Sequence, residues 1–274
     1  MQDKAIQWLV ITDLDGTLLN HHNYDIEAAK STIIKLQEQK IPIIFNTSKT
    51  FKESIELQKI LNLSYPFIVE NGSCIYYPKS IFPDPVANTI DFGKYWAHII
   101  GTKQESIKNS LNEIDTSPTK YKLLSESTIK ETIELTGLTT EQAKQAISRE
   151  FSEPLVWYGN EIELNTFKQQ LKARNLHTLQ GGRFLHVIGE CNKGIATNAI
   201  KEIYGKETKT IILGDSANDA DMLSVADISA IVKSPSNHQL QKIITPDIQT
   251  INEAPSGWAE AISTALLSIN KGRT

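Results

Sequence analysis

Cysteine is nearly absent: Cys74 and Cys191 are the only two in 274 residues. That excludes a disulfide framework and a repeated cysteine-based metal motif, and it leaves two reduced, partly buried thiols of the kind a reducing cytoplasm maintains. Long apolar runs are missing too. The N-terminal stretch "MQDKAIQWLVITDLD" meets acid after a few apolar residues, well short of the roughly 18 that span a bilayer, and it lacks a signal-peptide layout. No membrane partner is expected. Basic blocks are also lacking, with 28 Lys and Arg against 32 Asp and Glu for a net charge of −4, so no nucleic-acid surface is expected either. Internal repeats and low-complexity segments are absent, and nothing specifies an oligomeric state. A small-molecule partner remains.

What is present is a chain 40% hydrophobic, long enough for one large domain or a core carrying a smaller one. "WLVIT" (8–12), "IPIIFNT" (41–47), "PFIVENG" (66–72), "KTIILGD" (209–215) and "ISAIVK" (228–233) are short, Ile- and Val-rich runs. Such runs read as strands buried on both faces. Helical spacing fills the intervals, as in "YDIEAAKSTIIKLQEQK" and "TFKESIELQKILNL". Strand and helix alternate, which predicts an α/β fold with a doubly wound, Rossmann-like parallel sheet.

Between residues 84 and 188 the rhythm changes. Pro78, Pro83 and Pro85 precede a more polar stretch containing the helix "TTEQAKQAISREF", with Thr139 or Thr140 as N-cap. An α+β domain inserted there takes "TIDFGKYW", "EPLVWYG" and "RFLHVIG" as its strands. The core is then 1–83 plus 189–274, with the helix "NKGIATNAIKEIYG" stopping at Gly205.

Asp13 and Asp15, in "VITDLDGTLL", end an apolar run where two like charges ought to repel. The crevice beyond the carboxyl ends of an open α/β sheet is where ligands bind, and a hard divalent cation between the acids offsets their repulsion. "ILGDSANDADML" adds Asp215 directly after a strand, with Asn218 and Asp219 following. Thr47 and Ser48 end another strand with hydroxyls, and Lys49 and Lys193 bring cations to the same edge. Acid for metal and hydroxyl plus amine for phosphate describe phosphoryl transfer. Taken singly, each piece has a plainer reading: "DxDGT" as an Asx turn, the lysines as solvated, Asp219 as a helix-start acid favoured by the macrodipole. An EF-hand is excluded because Tyr24 stands where its Glu is required.

In this order "DLDGT", "NTSK", "NKG" and "GDSAND" resemble the four motifs of the haloacid dehalogenase superfamily of phosphotransferases. The long interval between Thr47 and Lys193 resembles its branch with a large α/β cap, as does "VENG" (70–72 with Val69). "TGLTTEQAKQAISREFSEPLVW" and "LQGGRFLHV" are similar to the mannosyl-3-phosphoglycerate phosphatase family. The resemblance implies Asp13 as nucleophile and Asp15 as general acid and base. It implies Thr47 and Lys193 on the phosphoryl oxygens, and Mg²⁺ held by Asp13, the Asp15 main-chain carbonyl and Asp215, with Asn218 and Asp219 supporting. Lys49 departs from the T-G-R of many relatives, and its contact, phosphate or a second acid group, stays open.

A phosphorylated sugar-glycerate substrate carries a phosphate and a carboxylate. Ser48, Lys49 and Asn71 on the core side, with Arg149, Gly181, Gly182 and Arg183 on the cap side, are its binding candidates. Arg149 alternatively pairs with Glu153. His186, Trp96, Trp157 and Tyr158 read as cap structure rather than sugar contacts. The implied activity is release of glycosylglycerate, a compatible solute, and phosphate. The other readings are a sugar phosphatase of wider specificity, a phosphomutase and a non-catalytic sugar-phosphate sensor. Cap closure hinging near 83–88 and 186–191 is expected.

Overall fold

The computed structural model describes residues 7–114, 120–181 and 184–271. Its centre is a nine-stranded sheet in the order β13-β12-β11-β1-β2-β3-β4-β6-β5. The strands are β1 (Trp8–Thr12), β2 (Ile43–Asn46), β3 (Phe67–Val69), β4 (Cys74–Pro78), β5 (Ile90–Phe92), β6 (Tyr95–Ile99), β11 (Lys209–Gly214), β12 (Ile228–Lys233) and β13 (Ile248–Glu253). From β13 to β3 every pairing is parallel; β4, β6 and β5 then extend the sheet antiparallel.

The continuous apolar runs are explained by two-sided burial. Along β1, Val10 joins one hydrophobic cluster with α1 (Glu27–Glu38) and α10 (Ser256–Lys271). Leu9 and Ile11 join the other, with α7 (Lys193–Tyr204) and α8 (Ala220–Leu223). All three are fully buried, each contributing about 1.5–3 kcal/mol of transfer free energy.

A second sheet, β7-β8-β10-β9, is antiparallel throughout: β7 (Tyr121–Leu123), β8 (Ser152–Trp157), β9 (Leu176–Gly181) and β10 (Phe184–Gly189). Leu155, Leu185 and Val187 turn one face toward α3 (Gln104–Asn112) and α6 (Glu161–Lys172). Ser152, Pro154, His186 and Ile188, one residue out of phase, lie on the other face. That face looks at the large sheet, because the Ser152 hydroxyl reaches Glu70.

One expectation is corrected. "TIDFGKYW" supplies β5 and β6 to the large sheet, not to the insertion, because β6 pairs with the open edge of β4 over five residues, Cys74–Pro78. The chain therefore first leaves the large sheet after Ile99, not near residue 83. Trp96 accordingly packs beside β4, its indole N–H donating to the Phe82 carbonyl at 2.9 Å. Thr139 is the N-cap of α5 (Thr140–Ala146), in a capping box with Gln142.

Candidate active site

The parallel strand order reverses between β1 and β11, which is the position where a doubly wound sheet opens its ligand crevice. Asp13 leaves the carboxyl end of β1 and Asp215 the carboxyl end of the adjacent β11. Sheet topology alone thus brings residues 202 positions apart into one place. Gly16, at φ +80°, completes the turn: a Cβ there would stand 2.5 Å from Asp215 Oδ2. The Thr17 hydroxyl donates to Asp215 Oδ1 at 3.1 Å.

Lys193 opens α7 and is 1% exposed. Its Nζ lies 2.6 Å from Asp13 Oδ1 and 2.6 Å from Asp219 Oδ1. Asn46 fixes the helix start by donating to the Lys193 carbonyl at 2.9 Å and to Thr197 Oγ1 at 3.0 Å. Asp219 Oδ2 accepts from the Asp215 and Ser216 amides at 2.9 and 3.0 Å. Both its oxygens are engaged by donors, which suits a supporting role.

Asp13, Asp215 and Asp219 present oxygens within 4.8 Å of one another, all buried. Lys193 is the ammonium bonded to this cluster. Burial pushes Asp13 up to about 7 against the pull of Lys193, with Asp219 and Asp15 adding repulsion. Burial, then Asp219 and Asp13, likewise raise Asp215 above the carboxylate range. Burial opposes the Lys193 charge, yet Asp13 and Asp219 hold its pKa above the ordinary lysine value. An all-oxygen cluster with surplus negative charge fits a hard divalent cation. Asp15 Oδ1, buried and without a partner among the described residues, adds an open acceptor at this edge.

Asp15 Oδ2 meets Lys49 Nζ at 2.9 Å, and Lys49 also lies 3.6 Å from Glu53 and 4.8 Å from the Tyr24 ring centroid. Thr47 is fully buried after β2. The Asn71 side-chain oxygen accepts from Asn218 Nδ2 at 3.2 Å, which brings both predicted residues to the same edge.

Arg149 is not in a helix: α5 ends at Ala146, and Arg149 lies in the irregular segment before β8. Its Nη1 donates to the Ser48 carbonyl at 3.1 Å and to Ser152 Oγ at 3.0 Å, and Nη1 stands 4.0 Å from Glu70 rather than pairing with Glu153. Glu153 instead accepts from Gln104 Nε2 and the Ser125 amide. Gly181 ends β9, while Gly182 and Arg183 lie outside the described residues. His186 is buried on the core-facing side of β10; burial, then Arg149, push its imidazole down to about 3, so it is neutral. Trp157 stacks in the cap core with Tyr121 and Phe167, and Tyr158 is exposed.

Sequence reasoning missed Thr17, Asn46 and the contacts of Glu70. Thr17 was visible in "DLDGT" and Asn46 as a polar residue closing an apolar strand. Nothing local points to the partners of Glu70.

A profile of the haloacid dehalogenase-like hydrolases matches residues 10–262. The chain belongs to that family. It is an enzyme, a hydrolase. It is 34% identical over 264 residues to a glucosyl-3-phosphoglycerate/mannosyl-3-phosphoglycerate phosphatase of Methanococcoides burtonii, covering 93% of this chain and 95% of that one. A phosphatase of the same description from Persephonella marina is 32% identical over 270 residues, 96% of this chain and 99% of its own. Among solved structures, a haloacid dehalogenase-like hydrolase from Bacteroides thetaiotaomicron superposes with a TM-score of 0.68 at 17% identity, over 94% of this chain and 99% of that one. Among the described residues, no helix is long and apolar enough to cross a membrane.

Proposed function

We propose that this hydrolase is a magnesium-dependent phosphatase that converts a mannosyl- or glucosyl-3-phosphoglycerate to the glycosylglycerate and phosphate. It is a phosphoric monoester hydrolase. The reading is carried by one observation: Asp13 sits beside Asp215 and Asp219 with its Oδ1 held by Lys193 at 2.6 Å, in a chain about one-third identical to two phosphatases named for these substrates.

Asp13 Oδ1 is engaged by Lys193, so Oδ2 is the oxygen left to attack phosphorus. As the Asp13–phosphorus bond forms, the ester oxygen leaves and Asp15 delivers a proton to it. Asp15 then takes a proton from water, which attacks phosphorus, releases phosphate and restores the Asp13 carboxylate. Thr47 and Lys193 hold phosphoryl oxygens, and Ser48, Asn71 and Lys49 border the same ester. Asp13, the Asp15 carbonyl and Asp215 would hold Mg²⁺, which would supply neutralising charge for the transferring group. Asn218 and Asp219 keep those ligands oriented. On the cap side the Arg149 Nε–H, buried and unpartnered among the described residues, is a donor for the substrate carboxylate. Gly181, at the end of β9, with Gly182 and Arg183 next in the sequence, is the second candidate for that carboxylate.

Phosphate release across a panel of sugar phosphates and glycosyl-3-phosphoglycerates tests the substrate. The expected result is a preference of roughly a hundredfold or more in kcat/KM for the glycerate-bearing esters, since unpaired buried donors penalise substrates lacking their partner. A flat profile would overturn it in favour of a sugar phosphatase of wide specificity.

A further inference from the structure

The loop Glu70–Gly72, between β3 and β4, occupies a junction of four chain segments. Glu70 and Asn71 adopt left-handed backbone at φ +49° and +60°, strain that persists only where surroundings over-determine it. Gly72, at φ +94°, is pressed so closely on the next segment that a Cβ would stand 2.1 Å from the Asn192 carbonyl oxygen.

The carbonyls of the phosphate loop are tied one after another. Thr47 O accepts from the Asn71 amide at 2.9 Å and Lys49 O from the Glu70 amide at 3.0 Å. The middle carbonyl, Ser48 O, accepts from Arg149 Nη1 at 3.1 Å, and Arg149 belongs to the insertion. With three consecutive carbonyls each held by a donor, the loop's path past Thr47 is fixed.

The Glu70 carboxylate, 1% exposed, closes the circuit. It accepts from the Glu150 amide at 2.9 Å, the Phe151 amide at 3.2 Å and Ser152 Oγ, all at the entry to β8. The Arg149 guanidinium stands 4.0 Å away, so a buried charge faces its opposite. The segment that carries Arg149 to Ser48 is thus itself held by Glu70.

We propose that Glu70 and Arg149 are positioning residues that join the cap's 149–152 segment to the Thr47–Lys49 loop, so that the phosphate-holding geometry is complete only with the cap docked. The assignment rests on the phosphatase reading for the purpose of that loop, and it gives this edge a link between the insertion and the chemistry. Neither residue touches the reacting atoms; on the phosphate side each acts through Ser48 and its neighbours, apart from the Arg149 Nε–H left for the substrate carboxylate.

The test uses Glu70→Gln and Arg149→Met, with Arg149→Lys as the conservative variant, in the magnesium-loaded full chain. Inorganic phosphate is the probe, because it reaches the loop but has no glycerate for the cap to read. Calorimetric affinity for phosphate and kcat on the glycosyl-3-phosphoglycerate are each expected to fall about tenfold or more in both variants, and the double variant is expected to lose no more than the worse single, as for residues acting as one unit. Arg149→Lys, which keeps a donor for Ser48 O, recovers part of the loss. Phosphate affinity within about twofold of wild type, with the loss confined to KM for the glycerate-bearing ester, would overturn the proposal and leave Arg149 a carboxylate ligand only. If Glu70→Gln does not fold, the two Arg149 variants decide. A wild type that binds phosphate yet shows a flat substrate profile removes the substrate assignment and leaves this link standing.

Discussion

The crevice at the end of the large sheet and the facing side of the small sheet are both lined with buried polar groups, but they differ in how those groups are engaged. In the crevice Lys193, Asp219 and Asp215 each have two or more partners placed by different elements. On the facing side Arg149 is held through Nη1 by Ser48 and Ser152, while its Nε and His186 Nδ1 have no partner among the described residues; in the crevice Asp15 Oδ1 is likewise open. Charges that must be in place before phosphoryl transfer are preorganised, since reorganising them during the reaction would raise the barrier. Under the proposed function, the Arg149 Nε–H is the donor held in position and left open for the substrate carboxylate.

The sharpest way to break this contrast is Asp13→Asn. Turnover is expected to fall on the order of 10⁴-fold or more while the protein stays folded, because the substitution removes the proposed nucleophile and keeps the shape. Steady-state phosphate release measures it. Residual activity within tenfold of wild type would remove Asp13 as nucleophile.

Removal of the proposed metal comes next. Asp13 rises from 3.8 to about 7 through burial, so the folded, metal-free protein binds this proton more tightly than the unfolded chain does. Its contribution to stability is fully present below pH 3.8 and is lost as pH rises through about 7. Buried His186 titrates with the opposite sign, so the comparison is with Asp13→Asn: relative to that variant, wild-type melts in chelator should fall between pH 5 and 7.5, and magnesium should restore the loss at pH 7.5. Wild-type melts that rise relative to Asp13→Asn over that interval, or ignore magnesium, would argue against a crowded anionic site.

The smallest effect belongs to the facing side. His186 is neutral throughout the working range, so His186→Gln should leave the shape of the pH–rate profile unchanged and cost about 1–2 kcal/mol of stability at most. Loss of one limb of the profile would put proton chemistry on the insertion and erase the contrast.

What the sequence discloses follows the same division. Asp13, Asp215 and Thr47 were legible because each stands where an apolar run stops, and in a parallel sheet those stops share one edge. Strand type was legible at "TIDFGKYW", but its partner was not: alternation reveals that a segment is extended, whereas its neighbour depends on which edge remains open. Arg149 was read on a helix because "EQAKQAIS" keeps helical spacing almost up to it. The helix ends at Ala146, and the guanidinium turns to Ser48, 101 residues away. Glu70 was noticed only within "VENG", since all three of its side-chain donors come from about 80 residues downstream.

The central place of β1 also governs how the polypeptide can mature. Its flank toward β11 stays without a partner until residues 209–214 have been made, an interval of tens of seconds at ordinary ribosomal speed. Until residue 193 is made, Asp13 stands beside that unpaired flank without the ammonium that bonds it, and Asp215 joins it only after β11 is complete, so the acidic cluster is assembled late in the chain's own synthesis.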